Sequence, residues 1–79
     1  MGDVLDLVSY ITVNLVDHPE IVTVQKTARQ GRQIFQVRVH PDDLGKVIGK
    51  GGQTARAIRT LLMAVSARTD ERLGLEIVE

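Results

Sequence analysis

The sequence contains neither cysteine nor tryptophan, and Phe35 and Tyr10 are its single phenylalanine and single tyrosine. Without cysteine the chain can form no disulfide, no thiolate zinc site and no cysteine nucleophile. With only two aromatic residues it is poorly suited to holding nucleic-acid bases by stacking, as RRM and OB folds do. Thiol chemistry is therefore excluded, and any contact with bases has to rely on other side chains.

Long hydrophobic runs are also missing. No segment reaches the length of about 20 apolar residues that spans a membrane, and the N-terminus lacks the basic and apolar regions of a secretory signal. We therefore expect a cytoplasmic protein with no membrane partner. A hydrophobic fraction of 43% in 79 residues is enough for one small core, so we expect residues 1–79 to form a single domain with no linker or tail.

The net charge is zero, but acids and bases are separated along the chain. Residues 1–20 carry four acids and no base, residues 21–68 carry nine bases and two acids, and residues 69–79 carry one base and four acids. Four bases and no acid fall between Lys46 and Arg59. A concentrated basic segment indicates a nucleic-acid partner, whereas the alternative is that these bases merely solvate a helix face.

The apolar pattern predicts six elements in the order α-β-β-α-α-β. The first is a helix over residues 4–15 that Asp3 caps, although residues 11–15 also alternate like a strand. The others are strands over residues 21–28 and 33–39, a short helix that Asp42 or Asp43 caps and that ends near Ile48, a helix over residues 53–68, and a strand that begins at Leu73. A last strand parallel to the second gives a two-layer α+β fold, with three helices covering a three-stranded sheet.

Three glycines and a lysine lie together before the last helix, within Ile48-Gly49-Lys50-Gly51-Gly52-Gln53-Thr54. Glycine permits positive φ and lets a ligand come close to the backbone. A loop that opens a helix directs free N–H groups outward, where the helix dipole favours an anion. Residues 49–52, here called the GKGG loop, are therefore predicted to contact phosphate, and the alternative is an ordinary glycine-rich turn.

Neither common nucleotide-binding motif is complete in this stretch. A Walker loop would need one more residue after Gly45 and a Ser or Thr where Gly51 stands, and a dinucleotide fingerprint would need glycine in place of Thr54. The pattern I-G-x-x-G does fit, and it resembles the signature loop of KH domains, which clamps about four nucleotides by their backbone.

The resemblance extends over essentially the whole chain. The element order looks like a type II KH domain, the bacterial arrangement. Residues 43–61 match, nearly throughout, the D-[LV]-G-[KR]-V-I-G-[KR]-x-G-x-T-x-x-A-I-R-T-L stretch of the small bacterial single-KH proteins of the KhpA family. One departure is Gly51, where the family often has a second basic residue. The resemblance implies a cytoplasmic RNA-binding protein with an RNA-chaperone role, which self-associates and joins a larger KH-containing partner. In some bacteria the family is linked to cell shape and envelope growth.

Single-stranded RNA is expected in a groove beside the GKGG loop. Backbone N–H groups and Lys50 would hold phosphates, and Ile48 and Leu44 would offer bases an apolar floor. Arg38 would reach the far wall if its strand face is exposed. The residues assigned to the site are Lys46, Ile48, Gly49, Lys50, Gly51, Gly52, Gln53, Thr54, Arg56 and Arg59. Because phosphate contacts do not specify sequence, we expect salt-sensitive binding with little sequence preference.

We expect no enzyme, cofactor, metal site or small-molecule substrate. The chain has no cysteine nucleophile, no complete Walker loop and no local pairing of histidine with an acid. The neighbouring Asp42 and Asp43 are interpreted as helix caps rather than as catalytic carboxylates. His18 is interpreted as a helix-end residue rather than as a metal ligand.

The last helix carries a second feature. Its buried stripe is expected to consist of Ala55, Ile58, Leu61, Leu62 and Val65. A ridge of Ala57, Leu61 and Ala64 along one edge would let a second helix approach closely, which predicts a homodimer; the alternative is that this edge packs on the sheet. The second interpretation of the whole chain is a protein-interaction module that has the KH fold but little RNA binding.

Overall fold

The computed structural model describes residues 4–78 and contains the six elements in the predicted order. The helices are α1 (Val4–Leu15), α2 (Leu44–Ile48) and α3 (Gln53–Thr69), and the strands are β1 (Thr23–Arg29), β2 (Arg32–Arg38) and β3 (Leu73–Val78). Single 3-10 turns occur at Pro19–Ile21, Pro41–Asp43 and Lys50–Gly52. Residues 11–15 are helical, and the expected cap Asp3 lies outside the described residues.

The sheet has β2 at its centre, with β1 and β3 on either side. β1 and β2 form an antiparallel hairpin whose turn consists of Gln30 and Gly31, both with positive φ (53° and 76°). Two such residues give the turn whose twist matches that of a hairpin. β3 pairs with β2 in parallel, with Leu75 opposite Phe35, as the helical crossover predicts.

The hydrophobic core lies between the helices and one face of the sheet. α1 packs on β1 and β2, whereas α3 packs on β3 and α2. The only buried residue of α2 is Val47, which anchors this short helix in the core. The buried apolar residues are Val8, Phe35, Val37, Val39, Val47, Ala55, Ile58, Leu62 and Leu73. The core therefore fixes the two helices that flank the GKGG loop.

Three sequence-based predictions require correction. Leu61 is not part of the buried stripe of α3, because 47% of its surface is exposed while Leu62 is buried. The first strand begins at Thr23 rather than at residue 21, since Pro19 starts a turn there. Asp43 does stand at the N-cap of α2, but its side chain bonds no N–H group of that helix.

Candidate nucleic-acid interface

The GKGG loop joins α2 to α3 through three glycines with positive φ. The φ values are 79° at Gly49, 64° at Gly51 and 77° at Gly52. The N–H of Gly49 donates to the carbonyl of Gly45 at 2.8 Å, and the N–H of Gly52 donates to the carbonyl of Gly49 at 3.0 Å. Two of the loop N–H groups that were assigned to phosphate are therefore already used, which leaves those of Lys50 and Gly51 for a ligand.

The glycines of the loop differ in what surrounds them. At Gly49 a Cβ atom would collide with the hydroxyl, the Cβ and the backbone nitrogen of Thr54, so the first turn of α3 sits directly against the loop. Around Gly51 there is no atom within 4 Å of where a Cβ would stand. Gly49 is therefore required by packing, whereas Gly51 stands at an open loop tip.

The cations of the loop region take different positions. Lys50 is exposed at the loop, and Arg59 is exposed on α3 two turns further on. Arg56 turns back, and its Nη2 donates to the carbonyl of Gly51 at 2.9 Å. Arg56 thus stabilises the loop backbone and brings its positive charge beside the loop tip.

A cavity of about 160 Å³ lies between α3 and β3, further along the same side of α3. Arg59 of α3 and Arg32 of β2 both contribute to its lining. Its remaining lining is mostly apolar: Leu62, Met63, Leu73, Gly74 and Leu75. Arg32 was not among the predicted site residues, because it precedes the loop by a long stretch of sequence and only the sheet brings it to this edge.

Lys46 is placed differently from the other predicted site cations. Its Nζ lies 3.1 Å from Oδ2 of Asp17 and 3.7 Å from Oδ1 of Asp43. The hydrogen bond to Asp17 raises the pKa of Lys46 above its ordinary value. Its charge is largely balanced by these two acids, so Lys46 ties α2 to the end of α1 and adds little to the positive charge of Lys50, Arg56 and Arg59.

Asp43 is the buried centre of this contact between α1 and α2. Its Oδ1 accepts the N–H of Asp17 at 3.1 Å, and its Oδ2 accepts the N–H of His18 at 3.0 Å. Burial by itself would raise the pKa of the Asp43 carboxyl, but the hydrogen bonds from Asp17 and His18 hold this pKa below its usual value. Nδ1 of His18 also lies 3.0 Å from Oδ2 of Asp43, so a histidine–acid pair exists that the sequence did not reveal.

The family model described as "KhpA/KhpB, KH domain" matches residues 5–77, which include α2, the GKGG loop and α3. The chain belongs to this KH-domain family. The α-β-β-α-α-β order and the I-G-x-x-G loop are thus features that it shares with a known group of proteins.

Curated KhpA relatives align with most of the chain. The RNA-binding protein KhpA of Treponema pallidum is 49% identical over 74 residues, which cover 94% of this chain and 92% of the relative. That of Oceanobacillus iheyensis is 42% identical over 72 residues (91% and 96%), and that of Mycobacterium bovis is 50% identical over 66 residues (82% and 81%). The matches to these three KhpA proteins therefore cover between 82% and 94% of the present chain.

The exposed ridge on α3 lies on a different side of the helix from Arg56 and Arg59. Ala57, Leu61 and Ala64 are all exposed. Successive residues of an α-helix are rotated by about 100° about the helix axis. In a view down this axis, the three ridge residues lie on one side of the buried Leu62, whereas Arg59 lies on the other side. The ridge and the arginine side of α3 are therefore separate surfaces.

The remaining predicted residues lie around the GKGG loop. Ile48 and Thr54 are half-buried, Gln53 is exposed at the start of α3, and Leu44 is half-buried on α2.

Within residues 4–78 there is no group of three or more His, Asp or Glu side chains that could hold a metal ion. Nor does any helix in this range have the length and apolar character needed to cross a bilayer.

Proposed function

We propose that this chain binds single-stranded RNA through the GKGG loop and the arginine side of α3. The observation that carries the proposal is the open loop tip, where Lys50 and two N–H groups without backbone acceptors stand at the start of a 17-residue helix. An anion is stabilised at such a position by the N–H groups and by the helix dipole. The name of the matching relatives, RNA-binding protein KhpA, supports RNA as the source of the phosphates.

The path of the RNA follows the positive groups. From the loop tip, Arg56 and then Arg59 lead along α3 to the cavity between α3 and β3, which Arg32 also lines. The mostly apolar lining of this cavity suits the face of a base, and the two arginines suit the flanking phosphates. Phosphate contacts dominate this arrangement, so the affinity falls with salt and depends little on sequence.

RNA binding by fluorescence anisotropy tests the proposal, with a short mixed-sequence single strand at low and moderate salt. The test variant is Lys50→Asp with Gly51→Asp. The control is Thr23→Asp with Lys26→Asp, which makes the same change of three charge units on the exposed strand β1. Circular dichroism checks that both variants fold.

The wild type and the β1 control are expected to bind, whereas the loop variant loses at least about tenfold in affinity. With about four phosphates neutralised by Lys50, Arg56, Arg59 and Arg32, the logarithm of the wild-type affinity falls against the logarithm of salt with a slope of about −3. Equal losses in both variants would show that net charge, not the loop, determines binding. Absence of binding in the wild type would favour the interaction module with little RNA affinity.

A homodimer through the exposed ridge of α3 is the second part of the proposal. Leu61 is a large apolar side chain with 47% of its surface exposed, between two alanines that permit close helix contact. Because the ridge lies opposite the arginine side, a dimer leaves the RNA path open. Leu61→Asp is expected to give a monomer in sedimentation equilibrium, while Met63→Asp, on the other side of Leu62, leaves the dimer intact. A monomeric wild type would refute this part.

The other expectations rest on the resemblance to the KhpA family. They are an RNA-chaperone role, a cytoplasmic location, a complex with a larger KH-domain protein, and a link to cell shape and envelope growth. Pull-down from a bacterial lysate, compared between the wild type and Leu61→Asp, tests whether the α3 ridge also holds such a partner.

A further inference from the structure

Two histidine rings stack at the end of α2 that lies away from the GKGG loop. The ring centroids of His18 and His40 are 4.1 Å apart, with 14° between the ring planes. His18 follows α1, and His40 precedes the 3-10 turn Pro41–Asp43 that runs straight into α2. The stack therefore joins α1 to the segment from which the loop-bearing helix begins.

The hydrogen bonds of the two rings determine where their protons lie. Nδ1 of His18 is 3.0 Å from Oδ2 of Asp43, and a carboxylate can only accept, so this Nδ1 carries a hydrogen. Nδ1 of His40 is 3.0 Å from the N–H of Asp42, which can only donate, so this Nδ1 carries none. The hydrogen of a neutral His40 is therefore on Nε2.

Protonation consequently has different effects on the two rings. An additional proton on His18 binds at Nε2 and leaves the hydrogen bond to Asp43 intact. An additional proton on His40 binds at Nδ1, where it removes the acceptor for the N–H of Asp42 and so removes the side-chain cap of the turn. If His18 is also protonated, the charge on His40 places two positive rings in stacking contact, and their repulsion disfavours the doubly charged pair.

Charged side chains lie beside both histidine rings, Asp42 beside His40 and Asp43 beside His18. Oδ2 of Asp42 lies 3.8 Å from Nδ1 of His40 and attracts a charge there, but the Asp42 side chain is 78% exposed and water screens it. On the other side, Asp43 faces His18 and is itself shared with Lys46, which also pairs with Asp17. The carboxylate that faces His18 is therefore buried, whereas the carboxylate beside His40 is exposed.

The cap of His40 is close enough to the loop to affect it. α2 has five residues, so at about 1.5 Å per residue its two ends are only about 8 Å apart. A helix of this length is not stable by its own hydrogen bonds and depends on what holds its ends. Gly49, the first residue of the loop, bonds back to Gly45 inside α2.

We propose that His40 is a pH-sensitive positioning residue of the GKGG loop. Its neutral ring caps the turn before α2 and holds the loop in place; when His40 is protonated at Nδ1, the cap is lost and RNA binding weakens. This inference rests on the proposed RNA-binding function, and histidine changes its charge between about pH 5 and pH 8.

The test compares RNA affinity at pH 7.5 and pH 5.5 in the wild type and in His40→Asn. Asparagine keeps an oxygen that accepts the N–H of Asp42 but does not titrate. Between pH 7.5 and pH 5.5 the wild type is expected to lose about fivefold in RNA affinity relative to His40→Asn. This is the decrease in the fraction of molecules with an ordered loop that the loss of one side-chain cap produces. A merely electrostatic role of His40 would act in the opposite direction, since added positive charge strengthens RNA binding. An equal pH dependence in both proteins, or a stronger gain at pH 5.5 in the wild type, would overturn the proposal.

A second measurement does not require RNA. Amide resonances of Gly49, Gly51 and Gly52 are followed by NMR from pH 8 to pH 5, together with the ring signals of both histidines. In the wild type the loop amides are expected to shift along with the titration of His40, and in His40→Asn this shift is absent. Loop amides that ignore His40 would overturn the inference. If the wild type binds no RNA at pH 7.5, the proposed function fails while this measurement still decides the role of His40.

Discussion

Adding one methyl group to the GKGG loop should have very different effects at two positions only two residues apart. Gly49 and Gly51 both have positive φ, and both are changed to alanine. At Gly51 the methyl group meets no atom within 4 Å, so only the backbone conformation is disfavoured. At Gly49 the methyl group meets the backbone nitrogen of Thr54 at 2.7 Å and its Cβ at 2.8 Å, in the first turn of α3.

The expected magnitudes follow from these surroundings. A left-handed conformation costs alanine about 1–2 kcal/mol relative to glycine. Alanine also reduces the conformational entropy of the unfolded chain, which offsets about half of this cost, so Gly51→Ala should lower the free energy of unfolding by about 1 kcal/mol. Gly49 has φ 79° and ψ 167°, a combination that is essentially restricted to glycine and costs about 1–3 kcal/mol. The collision with Thr54 adds to that cost because the backbone of α3 cannot move alone. We expect a loss of at least about 3 kcal/mol for Gly49→Ala, from the conformation and the overlap together.

Thermal unfolding by circular dichroism measures the difference. In a domain of this size 1 kcal/mol corresponds to about 4–8 °C, so Gly49→Ala should lower Tm by at least about 12 °C and Gly51→Ala by less than about 8 °C. RNA affinity measured well below both Tm values should be nearly unchanged in Gly51→Ala. If the two variants melted within a few degrees of each other, the contact between Gly49 and Thr54 would not exist in solution, and the described loop geometry would be refuted.

Three further predictions concern neighbouring residues. Gly51→Lys adds a positive charge at an open position of the loop tip, so RNA binding should tighten about threefold at low salt and converge with the wild type at high salt. Gly45→Ala fills open space within α2 and should raise the free energy of unfolding by about 0.5–1 kcal/mol in urea titrations; a loss would mean that the backbone needs glycine there. Because the pKa of Asp43 is lowered in the folded state, its carboxylate stabilises the protein above the unfolded pKa of about 3.9, and this stabilisation disappears as the pH falls through the folded value. The difference in urea midpoint between the wild type and Asp43→Asn should therefore be largest at pH 7 and should shrink steadily as the pH falls below about 4.

The fold could be predicted because its signals are local. Each signal depends on residues within a few positions of one another: the glycine spacing, the prolines after His18 and His40, and the alternation around Phe35. The parallel pairing of β3 follows from the helical crossover. The GKGG loop was recognisable for the same reason, since a complete motif occupies consecutive residues.

What the sequence did not reveal depends on contacts between distant segments. Lys46 belongs to the basic stretch by position, but its partner Asp17 is at the end of α1. The pairing of His18 with Asp43 likewise joins residues from two elements, and each looked like an ordinary helix-end residue by itself. Leu61 fits the apolar period of α3, but the tertiary packing buries its neighbour Leu62 and leaves Leu61 exposed.

The parallel pairing of β3 with β2 also determines the order in which the protein can fold. The hairpin of β1 and β2 closes a turn of two residues, whereas Leu75 has to reach Phe35 from forty positions away in the chain. Contacts that close a long loop form late, because the chain entropy is lost before the contact is gained. The GKGG loop lies inside that long connection, so a partly folded chain presents the hairpin with one side of β2 unpaired. Pulsed hydrogen exchange during refolding should therefore protect residues 23–38 before residues 73–78, and until β3 has docked the unpaired side of β2 is an open site for misassembly with other strands.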